Sequence, residues 1–146
     1  MNLNSLPDEN SKRFVAVLNK KIEIGKLMNA LGHMTAGLAG TYPNSDDMCF
    51  LEYRDKSNGV HPHISHFPYI VLAADNSNKI RSLRNELILR NIPYNDFTST
   101  MTIGTSEEQV TNTSNTSESD LEYYGICTFA QSDLLRELTK KFSLFR

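Results

Sequence analysis

The sequence predicts an α/β domain of three layers, α-β-α, with helices on both faces of a mixed sheet of four or five strands. Three observations carry that reading. Residues 14–18, Phe-Val-Ala-Val-Leu, are apolar without alternation, as in a strand covered on both faces. Residues 25–42 place Leu27, Leu31, Met34 and Leu38 at steps of four, three and four, which is one apolar stripe of a helix. Beyond them, apolar strand-like runs continue to alternate with helical patterns, which implies crossover connections that lay helices on the sheet.

The chain has 146 residues, enough for a single domain, 1–146. A chain of this length buries roughly 68–70% of its unfolded surface, so it can hold a real core. The net charge of -2 and pI of about 6.1 argue against the broad basic footprint of a general nucleic-acid binder. Cys49 and Cys127 lie in apolar strand-like runs and read as buried free thiols in a reducing compartment. The N-terminus is polar, with no basic-then-apolar leader pattern. No apolar run approaches the roughly 20 residues that span a bilayer. The expectation is a soluble, cytoplasmic protein with no membrane partner.

Taken in order, residues 1–12 are polar, contain Pro7 and read as a loose tail. The strand at 14–18 follows, then a connection, then the helix entered through Gly25. Beside the apolar stripe of that helix, Lys26, Asn29, His33 and Gly37 recur at steps of three, four and four and line up on a neighbouring stripe. This stripe is short of the Glu and Arg that fill a solvated face, and the helix holds Gly32, Gly37 and Gly40. A helical glycine costs about 1 kcal/mol against alanine. Three of them predict a close approach by a strand, a second subunit or a ligand. Lys26 stands in the first turn, where the helix dipole disfavours a cation. A lysine there points to an anion held on the free N–H groups.

Pro43 to Asp47 end the helix, and residues 48–53 read as a second strand, parallel to the first. Asn58-Gly59 is a favoured tight-turn pair. His61, His63 and His66 form the densest histidine cluster. An extended chain would turn His61 and His63 to one side and His66 to the other, so no metal site is expected and a loop is. His63 and Ser65 are expected to border the same cleft as Lys26. Residues 67–74 are a strongly apolar third strand. Asp75, Asn76 and Ser77 suit a helix N-cap, and the helix they open runs to about Arg90. Ile80, Leu83 and Leu87 make its buried stripe. Lys79, Arg81, Arg84 and Arg90 make a basic side, either solvated or open to a phosphate. Residues 94–104 read as strand. Residues 105–120, dominated by Thr, Ser, Asn and Glu, read as a flexible low-complexity loop. Residues 121–130 are the last strand, antiparallel to the one before. Gln131, Ser132 and Asp133 then open a final helix that buries Leu134, Leu135, Leu138 and Phe142.

Residues 13–42 combine a strand, a basic residue, the pair Gly25-Lys26 and a helix carrying His33 two turns in. This resembles the opening of type II peptidyl-tRNA hydrolases. It is more similar still to an uncharacterised bacterial family, a domain of unknown function grouped with that fold, in the wording Val-Leu-Asn-Lys-Lys … Gly-Lys … Asn-Ala-Leu-x-His-Met … Gly-Leu. Further along, Asp96 and Thr100 keep the spacing of an Asp-Ala-Gly-x-Thr strand end but lack the Ala-Gly between them. The resemblance implies the type II peptidyl-tRNA hydrolase fold. It would make Asp96 an orienting acid or proton acceptor and Thr100 its hydrogen-bonding partner. It would make Lys26 or Lys20 the electrostatic element and His33 a site residue.

Ester or amide cleavage needs an activated water and donors for the developing oxyanion. Lys26 and the first-turn N–H groups near Gly25 and Asn29 are the candidate donors. No Gly-x-Ser-x-Gly elbow, Gly-x-Gly-x-x-Gly or P-loop is present, so neither a serine nucleophile nor a nucleotide cofactor is expected. The reading is a hydrolase-type site for a small-molecule or acylated substrate, with tRNA disfavoured by the acidic pI and no cofactor. The alternative is a non-enzymatic module for a small anionic ligand, or a homo-oligomeric scaffold built on the glycine-rich face. A homodimer is expected.

Overall fold

The structure is a computed structural model and describes residues 2–146. Met1 of the expected tail lies outside the described residues. The fold is a mixed α/β arrangement of four α-helices, a five-stranded sheet and a separate two-stranded one. The first strand, β1 (Lys12–Asn19), buries its last six residues, as its unbroken apolar run requires. It is followed by helix α1 (Ile24–Thr41), which buries Leu27, Ala30, Met34 and Leu38. Leu31, expected on the same stripe, packs only partly against the core.

The expected partner of β1 is corrected here. Residues 48–53 do not pair with β1. Instead β2 (Phe50–Arg54) and β3 (Val60–Ser65) form an antiparallel hairpin apart from the main sheet. The parallel neighbour of β1 is β4 (Tyr69–Ala74), in register from Phe14 opposite Tyr69 to Asn19 opposite Ala74. The physical reason lies in the two sequences. Phe50-Leu51-Glu52-Tyr53-Arg54 places charges between its apolar residues, which suits an exposed hairpin. Tyr69 to Ala74 carries no charge at all, which suits a place beside a buried parallel strand. The hairpin contains His61 and His63 and is not a loop. It leaves Phe50, Tyr53, Val60 and Ile64 exposed.

Helix α2 (Ser77–Leu89) starts at Asn76, whose side-chain oxygen accepts from the N–H of Lys79, and buries Ile80, Leu83 and Leu87. Strand β5 (Tyr94–Thr98) is shorter than expected because the chain turns at Thr98 into a 3₁₀ segment, Ser99–Met101. The expected flexible loop at 105–120 is also corrected. It holds α3 (Ser106–Ser114), closed by a capping box in which Thr105 and Glu108 satisfy each other's backbone N–H groups. A 3₁₀ turn, Glu118–Asp120, follows. Composition concealed this helix because it buries no residue of its own. Local capping and a contact through Thr113 hold it. Strand β6 (Tyr123–Gln131), helix α4 (Ser132–Thr139) and a short β7 (Ser143–Leu144) complete the chain. The tail is tied as well, since the ring nitrogen Nε2 of His66 donates to the carbonyl of Pro7 at 2.8 Å.

The sheet order is β5-β6-β1-β4-β7, with β6 antiparallel to both of its neighbours and β7 antiparallel to β4. One core lies under α1 around Phe14, Leu18, Met34 and Phe129. The other lies under α2 and α4 around Val15, Val17, Leu83 and Leu135. These are the two helical layers that the sequence predicts.

The expected close approach along α1 is real at Gly37, where the Asn95 side chain leaves no room for a Cβ. At Gly32 and Gly40 nothing lies within 4 Å of a built Cβ. The two kinds of glycine therefore respond oppositely. Gly37→Ala should lose about 1–3 kcal/mol through overpacking. Gly32→Ala should gain up to about 1 kcal/mol from helix propensity. Urea denaturation of the two variants reads both signs.

Candidate functional site

Strands β1, β4 and β5 run in one direction, so their C-terminal ends share an edge of the sheet with the start of β6. From that edge β1 passes the chain to α1 on one face, and β4 passes it to α2 on the other. Connections that diverge from neighbouring parallel strands leave a crevice between them, the usual ligand position in open α/β sheets; between β1 and β4 it is lined by Asn19, Lys21, Asn76 and Arg81 and is separate from the space under α1.

On the α1 side of this edge lies a cavity of about 470 Å³, lined by Glu23, Gly25, Lys26, Asn29, Phe97, Thr102, Ile103 and Tyr124. Glu23 is the N-cap of α1 yet makes no side-chain capping hydrogen bond. The N–H groups of the first turn are left without a side-chain cap, at the positive end of an 18-residue helix, and Gly25 and Lys26 of that turn line the cavity. Among the described residues neither Lys26 nor Glu23 has an ion-pair partner, although both line this rim. Phe97 and Tyr124 form the floor, their rings 5.9 Å apart and tilted by 39°.

Tyr124 reaches the cavity through an irregularity in the sheet. The pairing of β5 with β6 runs from Phe97 opposite Gly125 to Thr98 opposite Tyr123, so Tyr124 is an extra residue. Such a bulge re-aims a side chain. Here it turns Tyr124 to the α1 face, while Tyr123 packs under α2. Gly125 makes this possible, because a Cβ there would stand 2.8 Å from Leu18 Cδ2, 2.9 Å from Met34 Cε and 3.1 Å from the Val17 carbonyl. Tyr124 is 6% exposed. Its side chain lines the cavity, and its hydroxyl has no hydrogen-bond partner among the described residues.

The structure brings together only part of the predicted set. Lys26, Gly25 and Asn29 line the cavity. His33 lies a turn further along α1, exposed, with its ring stacked on Phe97 at 5.8 Å. With Gly37 against Asn95, this makes the polar stripe of α1 the side that meets β5. Asp96 is on the opposite face, where Arg84 Nε donates to its carboxylate at 3.0 Å. Burial pushes the Asp96 carboxyl above its ordinary range, and the Arg84 charge offsets this only in part. Alternation along β5 sets that placement. Asn95 and Phe97 face α1, so Asp96 between them cannot. Thr100 is tied to Thr98 at 2.7 Å and to Thr113 at 2.8 Å, where it anchors α3.

Lys20 is on the same edge but outside the cavity, 2.9 Å from Asp75, which Lys79 also meets at 2.7 Å. His63 and Ser65 do not border the Lys26 cleft. They precede β4 at the other end of the sheet, and the Ser65 hydroxyl donates to the Met48 carbonyl at 2.5 Å. His61 pairs with Asp55. Among the described residues no group of three or more His, Cys, Asp or Glu could hold a metal.

The basic side of α2 is neutralised residue by residue. Lys79 meets Asp75, Arg81 meets Glu118, Arg84 meets Asp96 and Arg90 meets Glu86. Both cysteines are free, and burial pushes the Cys127 thiol up to about 12, which leaves it unreactive. A groove of about 500 Å³ between α2 and α4 is slightly larger than the α1 cavity. Of its rim charges, Lys140 meets Glu137, Arg90 meets Glu86 and Lys79 meets Asp75, while Lys141 forms no ion pair among the described residues. Sequence reading missed Tyr124, Phe97, Thr102, Ile103 and Glu23. Only Glu23, beside Gly25, carried a local signal.

Comparison with known proteins gives a family and a fold. The sequence profile of the family described as "Protein of unknown function (DUF2000)" matches residues 12–146, and the chain belongs to that family. No curated protein matches it. Among solved structures it is similar to the protein of unknown function Atu0240 from Agrobacterium tumefaciens strain C58. The TM-score is 0.80 at 18% identity, over 93% of this chain and 98% of that one. At that identity the likeness shows a shared fold. Among the described residues no helix is long and apolar enough to cross a membrane.

The Lys20–Asp75–Lys79 cluster yields a pH prediction. Hydrogen bonds from Lys79 and Lys20 lower the Asp75 carboxyl from 3.8 to about 2. A carboxylate held below its unfolded value contributes stability that is complete above that value and is lost as pH falls through the folded one. The Asp75 side-chain carbon should therefore titrate by NMR with a midpoint near 2. Lys79→Ala or Lys20→Ala should each return it towards 3.8.

Proposed function

We propose that this DUF2000 protein binds a small ligand bearing a carboxylate or phosphate at the N-terminus of α1. The anion rests on the free first-turn N–H groups and Lys26, and the body of the ligand lies on Phe97 and Ile103. The observation that carries this reading is the Tyr124 side chain, which is 6% exposed, lines the cavity and has a hydroxyl that forms no hydrogen bond among the described residues. That hydroxyl keeps both its donor and its acceptor capacity for a ligand atom. The uncapped helix end supplies the complementary charge.

A specific observation also favours a second reading, ester or amide hydrolysis of the type II peptidyl-tRNA hydrolase kind. Asp96 lies across the sheet, but Glu23 supplies a carboxylate on the same rim as Lys26. In that scheme Glu23 takes a proton from the water that attacks the carbonyl carbon and returns it to the departing alcohol or amine as the C–O or C–N bond breaks. Lys26 and the N–H groups of the first turn hold the developing oxyanion.

Titration with acetate and with inorganic phosphate, read at the Gly25 and Lys26 amides by NMR, tests the binding reading. Lys26→Ala should weaken binding about tenfold, or about 1.4 kcal/mol. Lys56→Ala, in the hairpin turn, should leave it unchanged. Equal effects of the two changes would remove the site. Turnover of peptidyl-tRNA by the purified protein tests the second reading. Cleavage lost in both Lys26→Ala and Glu23→Gln assigns both residues, and no cleavage at high protein concentration discards hydrolysis of that substrate.

A further inference from the structure

We infer that the ligand of the α1 cavity is a small zwitterion of the α-amino-acid type with an apolar side chain, a conclusion that rests on the binding reading above. The argument begins with the charge of the rim. Lys26 and Glu23 both line the cavity, and among the described residues neither forms an ion pair. An acidic residue at a helix N-terminus is ordinarily explained as a cap or as a complement to the dipole. Glu23 makes no capping hydrogen bond. Its carboxylate folds beside the start of the helix, with Oε1 3.7 Å from where a Gly25 Cβ would be. A bare anion seated on the first-turn N–H groups gains Lys26 but faces this carboxylate, so it binds more weakly than a ligand that answers both charges. A bare cation drawn to Glu23 would meet Lys26. A ligand with both charges a few ångströms apart satisfies each and leaves neither charge opposed.

The remaining lining fits the rest of such a molecule. Phe97, 7% exposed, and Ile103, 78% exposed, offer an apolar wall on which a side chain can lie. Ile103 is exposed to water, so covering it removes apolar surface from solvent. Asn29 and the Tyr124 hydroxyl can each donate and accept, and so can complete the hydrogen bonds of a carboxylate or an ammonium group. A cavity of about 470 Å³ is within the range of small-molecule sites.

The test uses the full chain and three probes that share one ring, L-phenylalanine, 3-phenylpropionate and phenethylamine, with affinity read by calorimetry and by the Gly25 and Lys26 amide signals. Phenylalanine should bind at least tenfold more tightly than either of the others. Glu23→Gln, isosteric and at an exposed position, should reduce phenylalanine to the level of phenylpropionate without weakening phenylpropionate itself. Phenylpropionate binding as tightly as phenylalanine, in a manner that Lys26→Ala abolishes, would overturn the zwitterion and leave the anion site standing. No binding of any of the three would also overturn the inference, with the phosphate titration deciding the anion site separately. If Lys26→Ala changes none of the three affinities, the anion site itself fails.

Discussion

Strand β1 has no face to give to water. Its last six residues are buried, Phe14, Ala16 and Leu18 against α1 and Val15 and Val17 against α2 and α4. Burying a Val, Leu or Phe side chain contributes about 1.5–3 kcal/mol, as an upper figure for a chain already partly collapsed when unfolded. Both surfaces of this strand must be covered at once, which fixes the three-layer arrangement. The route to it is fixed as well. Once β1 has passed the chain to α1 on one side, the next parallel strand, β4, passes it to α2 on the other. The cavity lies on the α1 side of that division, against the end of β5 and the start of β6.

Beside the cavity, a backbone irregularity decides which tyrosine of β6 faces α1. A regular β6 would alternate Tyr123, Tyr124 and Gly125 strictly between faces. The extra residue opposite Phe97 and Thr98 breaks the alternation and turns Tyr124, in place of Tyr123, to the α1 face. Gly125 is the residue at which the strand can press against Leu18 and Met34 without a side chain. The same alternation, left intact in β5, sends Asp96 to Arg84 on the far side. The cavity thus loses the carboxylate that the Asp-x-x-x-Thr spacing implied and keeps Glu23, three residues from Lys26 in the chain.

Segment 105–120 illustrates a different limit. Its composition is that of a disordered linker, and α3 buries no residue. What orders it is local and directional: a reciprocal cap between Thr105 and Glu108, and a chain of hydroxyls from Thr98 through Thr100 to Thr113. Hydrophobic periodicity does not register either device. The Thr-x-x-Glu spacing of a capping box stood in the sequence but lacked the apolar run that usually follows one.

The sequence by itself determined the elements whose stability comes from burial along a single period. These are the unbroken apolar β1 and β4, the stripe of Leu27, Met34 and Leu38 in α1, that of Ile80, Leu83 and Leu87 in α2, and hence the α/β class. It also determined that Lys26, Gly25 and Asn29 would stand together, since one turn of helix fixes their spacing. Tertiary structure alone decided what meets them. Which strand lies beside β1, which face Asp96 takes, where the hairpin with His63 and Ser65 projects and how Tyr124 is turned all depend on pairing between segments far apart in the chain. Pairing register has no local period to read, and a shift of one residue moves a side chain from one face of the sheet to the other.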